Sequence, residues 1–297
     1  MPALEASPNH MSRCAFLTTD DLTGYTTDDE LASRVLHQRG WSVEEIPWRR
    51  YAVDWKGFDI VVIRSTWDYH RDLESFLSVL ERVAAASRLV NPLELVRRNV
   101  RKTYLRDLAA VGIATVPTWW RRGLDPDELK RSIAEWGVSE IVVKPVVSAS
   151  AGDTFRIRRD EAEETGRSIE DLFRGRDVML QPFVETIVEE GEYSLFYFEG
   201  GYSHAVLKTP KERDFRVQEE HGASIIACEP TDTMRDSAAD VMQRIDPVPL
   251  YARVDLVRVG DRFALMELEL VEPALYFRTA LGSAERFADA IERRMNS

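Results

Sequence analysis

The sequence predicts a chain that combines an open α/β domain with α+β units. In the first 92 residues, short apolar runs and amphipathic helical segments follow the order β-α-β-β-α-β, which is typical of an open sheet covered by helices. Between residues 116 and 185, strands and helices alternate at shorter intervals, as in a compact α+β unit. After residue 185, apolar runs of period two dominate, which indicates a largely antiparallel sheet.

Composition narrows the class of protein. The chain has 297 residues, 44% of them hydrophobic, and its formal net charge of -12 argues against sequence-independent nucleic-acid binding. No apolar run approaches the length of a membrane span, and the residues before Ser12 resemble a tail without a signal-peptide pattern. Cys14 and Cys228 lie outside any metal-ligand spacing. We therefore expect a cytoplasmic protein without a membrane or nucleic-acid partner.

The first segment accounts for the open sheet. Strands are predicted at residues 14–17, 41–46, 58–64 and 89–92, and helices at 28–38 and 68–86. Ligands of such sheets bind where strands end, and residues 63–70 follow the third strand with a cation, hydroxyls, aromatic rings and an acid. Alternatively, Ser65 caps a helix and the aromatic rings belong to the core. The candidate substrate contacts are Arg64, Ser65, Trp67, Asp68 and Tyr69.

The remaining elements follow from the same patterns. A helix is predicted over residues 93–111, then strands at 141–145, 155–158 and 178–181 around a helix at 161–173. The last part is expected to contain five strands and two helices. Those strands are predicted at 193–198, 202–208, 224–228, 251–259 and 263–271, and those helices at 231–245 and 284–295. The predicted domains are 1–92, 93–184 and 185–297.

Acidic residues alternate with apolar ones in the last predicted strand. Glu267 and Glu269 share one face, and a turn at residues 259–262 sets Asp255 opposite residue 266, give or take one. Three carboxylates this close are unfavourable unless a cation or protons compensate their charge. Oxygen ligands without His or Cys suit Mg²⁺ or Mn²⁺, and Mg²⁺ usually binds together with substrate phosphates. The alternative is a solvated strand face.

A phosphate-binding apparatus should accompany such a metal. Only six of the 39 basic residues are lysines, and Lys144 ends an apolar strand immediately before a loop of small residues at 148–154. Small residues allow backbone N–H groups to approach an anion, although such a loop is also compatible with a simple flexible turn. The loop is not a Walker motif. Its candidate phosphate contacts are Ser148, Ser150, Gly152 and Asp153.

Two further segments have the composition of nucleotide and substrate contacts. A Pro-containing strand end is suited to binding an adenine edge through backbone groups, with Glu185 on the ribose, or it is an ordinary domain linker. Residues 211–222 form a long charged connection without apolar period, which is typical of a lid or of a disordered loop. Its candidate substrate contacts are Arg216, Gln218 and His221. The strand-end candidates are Gln181, Pro182, Phe183, Val184 and Glu185.

The order of these motifs resembles the ATP-grasp superfamily over most of the chain. The matching elements are Lys102, Lys144 with loop 148–154, Gln181 to Glu185, Lys208, and Asp255 with Glu267 and Glu269, where many members carry Asn in place of Glu269. The resemblance implies an N-terminal open α/β domain, a central lid subdomain and a C-terminal antiparallel-sheet subdomain with the metal site. It implies that ATP activates a carboxylate as an acyl phosphate.

The resemblance also implies residue roles. Lys208 and Glu192 would contact ATP, and Arg253 would hold the transferred phosphoryl group, unless it only forms a salt bridge to the acids. Residues 67–70, 148–154, 191–194, 203–208 and 266–269 are similar to the branch that contains the O-ureido-serine cyclo-ligase of cycloserine biosynthesis.

In that branch, one amino-acid-like molecule is closed into a ring. Glu272 would then hold the substrate ammonium, and Arg64 the carboxylate region. The alternatives are a ligase of the glutathione synthetase or ribosomal-protein glutamate-ligase type, which joins two substrates, and a nucleotide-binding protein without turnover. The sequence leaves open whether the chain forms a homodimer.

Overall fold

The computed structural model describes residues 11–296, which form three β-sheets. The predicted tail before Ser12 lies outside this range apart from Met11. The first sheet is parallel, with the strand order β2-β1-β3-β4. Its elements are β1 (Arg13–Thr18), α1 (Asp29–Gln38), β2 (Ser42–Pro47), β3 (Ile60–Ser65), α2 (Leu73–Ala86) and β4 (Arg88–Val90).

The helix predicted over residues 68–86 is wrong at its start. Residues 69–71 form a single 3₁₀ turn, and α2 begins only after Asp72, whose carboxylate accepts a hydrogen bond from the Ser75 N–H at 3.2 Å. This side chain satisfies a backbone donor that has no partner within the helix. The aromatic residues before Asp72 therefore belong to a loop.

The continuous helix predicted over residues 93–111 is also wrong. The segment contains α3 (Leu93–Asn99) and α4 (Tyr104–Ala110), separated by a break. Within the break, the Lys102 N–H donates to the Val146 carbonyl at 2.9 Å, so a tertiary contact replaces a helical one. The break brings Lys102 to the end of the second sheet.

The second sheet is antiparallel, with the strand order β5-β8-β6-β7. Its elements are β5 (Trp119–Arg122), α5 (Pro126–Trp136), β6 (Glu140–Pro145), β7 (Phe155–Arg158), α6 (Ala162–Ile169) and β8 (Asp177–Pro182). The sequence analysis missed β5 and α5, although α5 has Asp125 as its N-cap, Pro126 in its first turn and the left-handed Gly137 at its end. The helix predicted over 161–173 ends at Ile169.

The third sheet is antiparallel, with the strand order β11-β10-β9-β12-β13. Its strands are β9 (Glu192–Phe198), β10 (Gly201–Thr209), β11 (Ser224–Ala227), β12 (Tyr251–Val259) and β13 (Arg262–Glu269), and the helices are α7 (Thr186–Glu189), α8 (Asp232–Met242) and α9 (Ser283–Asn296). Phe287 of α9 packs in one apolar cluster with Phe16 of β1 and Phe196 of β9, which joins the first sheet to the third.

These sheets confirm the predicted mixture of α/β and α+β structure. The three sheets occupy residues 13–90, 119–182 and 192–269, while the domain division at residues 92 and 184 stays a prediction. Within residues 11–296, no helix is both long enough and apolar enough to cross a bilayer.

Candidate active site

The hairpin of β12 and β13 brings three carboxylates together. Asp255 pairs with Glu267 and Arg253 pairs with Glu269, which confirms the predicted register to within one residue. One oxygen from each of Asp255, Glu267 and Glu269 lies within 4.8 Å of the other two. We call these three residues the acidic cluster.

A bulge interrupts the ladder beside the acidic cluster. Asp255 opposes Glu267, whereas the next residue of β12 opposes Leu265, so Met266 has no partner in the ladder. Met266 and Glu267 are both half-buried and both line the cleft, although strict alternation predicts opposite faces for them. The cleft is also lined by residues of the second sheet and by loops of the first.

Three basic side chains bind the acidic cluster: Arg253, Lys102 and Lys208. Arg253 donates to Asp255 at 3.0 Å and also bonds Glu269, while the Lys102 ammonium lies 2.6 Å from Glu267. The predicted salt bridge of Arg253 is therefore present, and its phosphoryl contact stays a prediction.

Lys208 is buried behind the acidic cluster. Its ammonium lies 2.5 Å from Glu192 and 3.4 Å from Asp255. Gly191 makes this approach possible, because its φ is 112° and a Cβ there would lie 2.6 Å from the Lys208 carbonyl oxygen. Glu192 lines the cleft, whereas Lys208 and Asp255 lie beneath its wall.

The pKa values of Asp255 and Glu269 show that the neighbouring cations compensate the charge of the acidic cluster only in part. Burial raises the pKa of Glu269 to about 7 against the effect of Arg253, and the charges of Glu267 and Asp255 add to the shift. Burial acts on Asp255 in the same direction, but Arg253 and Lys208 outweigh it and hold the pKa of Asp255 at about 2. A divalent cation would supply the missing charge, and the all-oxygen donor set fits Mg²⁺ or Mn²⁺.

Lys144 presents a free ammonium to the cleft. It is only 9% exposed at the end of β6, and no ion pair formed within residues 11–296 involves it. Its nearest recorded polar contact is the Met266 sulfur at 3.9 Å, and burial lowers the pKa of Lys144. This ammonium is therefore available for an anionic ligand.

Loop 148–154 follows Lys144 and has an unusual backbone. Ser150, Ala151 and Asp153 have φ values of 52°, 53° and 53°, a left-handed conformation that costs a non-glycine residue about 1 kcal/mol. Such residues are typical of loops whose N–H groups surround an anion. Ser148 and Ser150 line the cleft, whereas Gly152 does not, and Asp153 is paired with Arg176 at 2.7 Å.

The predicted adenine segment forms another part of the wall. Gln181, Pro182, Phe183 and Val184 line the cleft, whereas Glu185 precedes α7 and does not. The Phe183 N–H donates to the Glu140 carbonyl at 3.0 Å and is therefore already used.

The charged loop 211–222 covers the cleft. Arg216 and Gln218 line the cleft; Arg216 is bonded to Asp214, and the Gln218 Oε1 is buried without a partner among the described residues. His221 lies outside the lining, where its Nε2 is 3.3 Å from the Ser150 carbonyl oxygen. The charged loop thus contacts loop 148–154.

Another part of the cleft is lined by aromatic residues and by Glu272. The Trp67 indole N–H donates to the Glu272 carbonyl at 2.9 Å, and its ring lies 5.0 Å from that of Tyr25. Tyr69 also lines this part. The Glu272 carboxylate forms no recorded ion pair within residues 11–296, and burial, together with Glu269, raises the pKa of Glu272 well above its usual value.

Besides His221, three predicted substrate contacts lie outside the cleft lining. The Arg64 guanidinium is buried and paired with Asp29 at 2.8 Å, and the Ser65 hydroxyl donates to Thr18. Asp68 accepts a hydrogen bond from Trp48 at 2.7 Å. The Ser65 hydroxyl, the Asp68 carboxylate and the Arg64 Nε and Nη2 thus have partners within the fold, while the Arg64 Nη1 is buried without a partner among the described residues. No local sequence signal predicts such partners.

Three further residues line the cleft although their sequence pattern did not indicate it. Asn99 and Tyr104 reach it from the two sides of the helix break, and Tyr276 does so from a left-handed turn with φ 45°. Asn99 and Tyr104 were not predicted to line the cleft, because a continuous helix was expected where the break occurs. A tyrosine at positive φ has no sequence signal, because such a conformation is uncommon for any bulky residue.

Comparison with known proteins identifies the family. Residues 14–91 match the family described as D-cycloserine synthetase DcsG, N-terminal domain. Over 275 residues, the chain is 34% identical to the cycloserine biosynthesis protein DcsG of Streptomyces lavendulae, covering 86% of this chain and 90% of that protein. The chain belongs to the DcsG family.

Solved structures agree with this assignment. The crystal structure of D-cycloserine synthetase DcsG matches with a TM-score of 0.85 and 31% identity, over 96% of this chain and 100% of that one. The ATP-grasp ligase PsnB, in a complex with minimal precursor, Mg and ADP, shares the fold at 16% identity and a TM-score of 0.64, over 96% and 98% of the two chains. The predicted ATP-grasp fold is therefore confirmed for this member of the DcsG family.

A buried histidine supports the segment that carries Tyr276 in this DcsG-family chain. The His204 ring stacks on Phe196 at 4.3 Å, and its Nε2 lies 2.9 Å from the Leu275 carbonyl oxygen, to which it donates in the neutral form. Burial lowers the pKa of His204 to about 4 from 6.5. Protonation of the folded protein is therefore unfavourable at mildly acidic pH.

We expect this histidine to make stability depend on pH. Its contribution should be complete above pH 6.5 and should fall by roughly 3 kcal/mol as the pH decreases towards 4, because the unfolded chain binds the proton first. Urea unfolding of the native protein and of His204→Gln at several pH values measures the difference. Parallel pH profiles for the two proteins would contradict this expectation.

Proposed function

We propose that this ligase phosphorylates the carboxylate of a small amino-acid-like molecule and closes a ring onto it with a nitrogen of the same molecule. The observation that carries the proposal is the layout of one cleft. Glu267, Glu269 and the free Lys144 line its walls, with Asp255 beneath them. Trp67 and Glu272 line another part of the same cleft. The name of the relative DcsG, a D-cycloserine synthetase, supports a ring-forming reaction.

ATP and a divalent metal occupy the charged part of the cleft in this proposal. Asp255, Glu267 and Glu269 would hold Mg²⁺ or Mn²⁺, which neutralises phosphate charge when bound. Lys144 and the backbone of loop 148–154 would hold the phosphates, while the backbone of residues 181–184 would hold adenine. Arg253 is bound to two members of the acidic cluster and is suited to orienting the transferred phosphoryl group.

Two displacements follow from this arrangement. A carboxylate oxygen of the substrate forms a bond to the γ-phosphorus of ATP, and the bond from that phosphorus to the bridging oxygen breaks, releasing ADP. The substrate nitrogen then bonds to the acyl carbon and loses its proton, while the carbon–oxygen bond to phosphate breaks. The charged loop 211–222 would exclude water, which competes with the nitrogen for the acyl phosphate.

The part of the cleft that is lined by Trp67, Tyr69 and Glu272 would select the substrate. The Glu272 carboxylate faces the cleft in a buried setting, so a substrate ammonium would supply its counter-charge. Trp67 and Tyr25 would bound the space beside it. This pocket suits a single small amino-acid-like molecule.

ADP release tests the proposal. We expect Mg²⁺ and ATP to yield ADP with one member of a panel of small amino acids that includes O-ureido-serine, and we expect mass spectrometry to identify a cyclic product. Each panel member is assayed with and without a second amine. ADP release that requires the amine would favour an intermolecular ligase of the glutathione synthetase type, and tight ATP binding without ADP release from the whole panel would favour a non-catalytic nucleotide-binding protein.

A further inference from the structure

We propose that Asn91, Asn99 and Tyr104 are positioning residues that hold the metal-ligand strand in place. β13 is the edge strand of the third sheet, and residues 114–116 pair with its outer side at Leu265 but not beside Glu267 and Glu269. Its metal ligands lie near the end of this strand, where an unpaired edge is most free to move. The three side chains bind that edge.

Asn99 bonds both peptide groups of Glu269. Its Nδ2 donates to the Leu268 carbonyl at 2.8 Å, and its Oδ1 accepts from the Leu270 N–H at 2.8 Å. These two groups belong to the peptide bonds before and after Glu269. One buried amide therefore fixes the backbone on both sides of a proposed metal ligand.

Tyr104 and Asn91 form the other side-chain hydrogen bonds to this part of the edge. The Leu268 N–H, which belongs to the peptide bond after Glu267, donates to the Tyr104 hydroxyl at 3.0 Å. Asn91 donates to the Leu270 carbonyl at 2.8 Å and to the Tyr251 carbonyl at 2.9 Å. All four outward backbone groups of Leu268 and Leu270 thus have side-chain partners.

These contacts take the place of a sixth strand without adding one. Backbone pairing of this edge ends at Leu265, whereas side chains bind it beside Glu267 and Glu269. Mg²⁺ requires near-octahedral oxygens at about 2.0–2.1 Å, so small shifts of this backbone would separate Glu267 and Glu269 from Asp255. Fixing the strand therefore sets the metal geometry.

The inference rests on the proposed metal site, and metal binding itself provides the test. Free Mn²⁺ is measured by electron paramagnetic resonance as it is titrated into the protein with ADP, and ADP affinity is measured separately without metal. Tyr104→Phe should weaken Mn²⁺ binding about fivefold, the effect of one lost hydrogen bond, and Asn99→Leu should weaken it more than about tenfold. Asn99→Asp keeps only the hydrogen-bond acceptor, so its loss of Mn²⁺ affinity should lie between those of the other two variants. ADP affinity without metal should be unchanged in all three.

Ser87→Ala is the matched control, because it removes a hydrogen bond of 2.7 Å to the Phe58 carbonyl in the first domain. It should lower the melting temperature without changing Mn²⁺ affinity. If Tyr104→Phe and Asn99→Asp also lower the melting temperature but bind Mn²⁺ like the native protein, the positioning role is refuted. Tyr104→Phe preserves packing and decides the question even if Asn99→Leu does not fold. Absence of Mn²⁺ binding by the native protein would refute the metal site itself.

Discussion

Glu267→Ala should abolish ATP turnover with Mg²⁺ while leaving the fold intact. The substitution removes one oxygen of the acidic cluster, and the cleft-facing Glu267 side chain is 24% exposed, so little packing is lost. Removing a residue that only hydrogen-bonds a metal ligand typically lowers activity about 10–100-fold. We therefore expect a loss of at least about a hundredfold when a direct ligand is removed. ADP release measures the activity, and circular dichroism with thermal melting measures the fold.

Glu267→Ala also removes the ion-pair partner of Lys102, so its effect on Lys102 must be separated from its effect on the metal. Raising the Mg²⁺ concentration should restore part of the activity if metal affinity is the defect, whereas a misplaced Lys102 would not respond. Glu164→Ala, at an exposed position of α6, is the matched variant and should retain activity. Full activity of Glu267→Ala would contradict the assignment of the metal site.

Lys144→Ala should weaken ATP binding more than about tenfold, because a charge-assisted hydrogen bond to a charged group contributes about 1.5–3 kcal/mol. The ammonium is buried at the cleft without a recorded ion-pair partner, so the substitution breaks no recorded salt bridge and should leave the fold stable. Calorimetric titration with ATP measures the effect.

Lys144→Arg separates charge from shape. The guanidinium is larger and planar, so it should restore only part of the affinity in this buried position. Lys130→Ala, on the exposed surface of α5, removes a lysine that is paired with Glu163 and should bind ATP normally. Unchanged ATP affinity in Lys144→Ala would refute its phosphate role.

The acidic cluster could be predicted because its determinants are local. The period of β13 puts Glu267 and Glu269 on one face, and the turn between the strands sets the register of Asp255. The bulge at Met266 could not be predicted, since one unpaired residue leaves no mark on an alternating pattern. Strand β5 was missed because its sequence Trp-Trp-Arg-Arg does not alternate apolar and polar residues, whereas the cap residues Asp125 and Gly137 do mark α5 in the sequence.

Tertiary contacts account for the other differences. The break before Tyr104 depends on a hydrogen bond from Lys102 to Val146, which lies more than forty residues away in the sequence. Arg64, near the end of β3, is paired with Asp29 at the start of α1. A strand-end arginine has the same sequence pattern whether it faces a ligand or a buried acid, so only the structure distinguishes the two.

The fate of the substrate oxygen tests the central proposal, activation of a carboxylate as an acyl phosphate. The substrate found in the ADP-release panel is prepared with a heavy oxygen isotope in its carboxylate and converted in the presence of ATP and Mg²⁺. If the carboxylate attacks the γ-phosphorus, the released inorganic phosphate should carry one labelled oxygen from the substrate. Product formation with unlabelled phosphate would contradict the account.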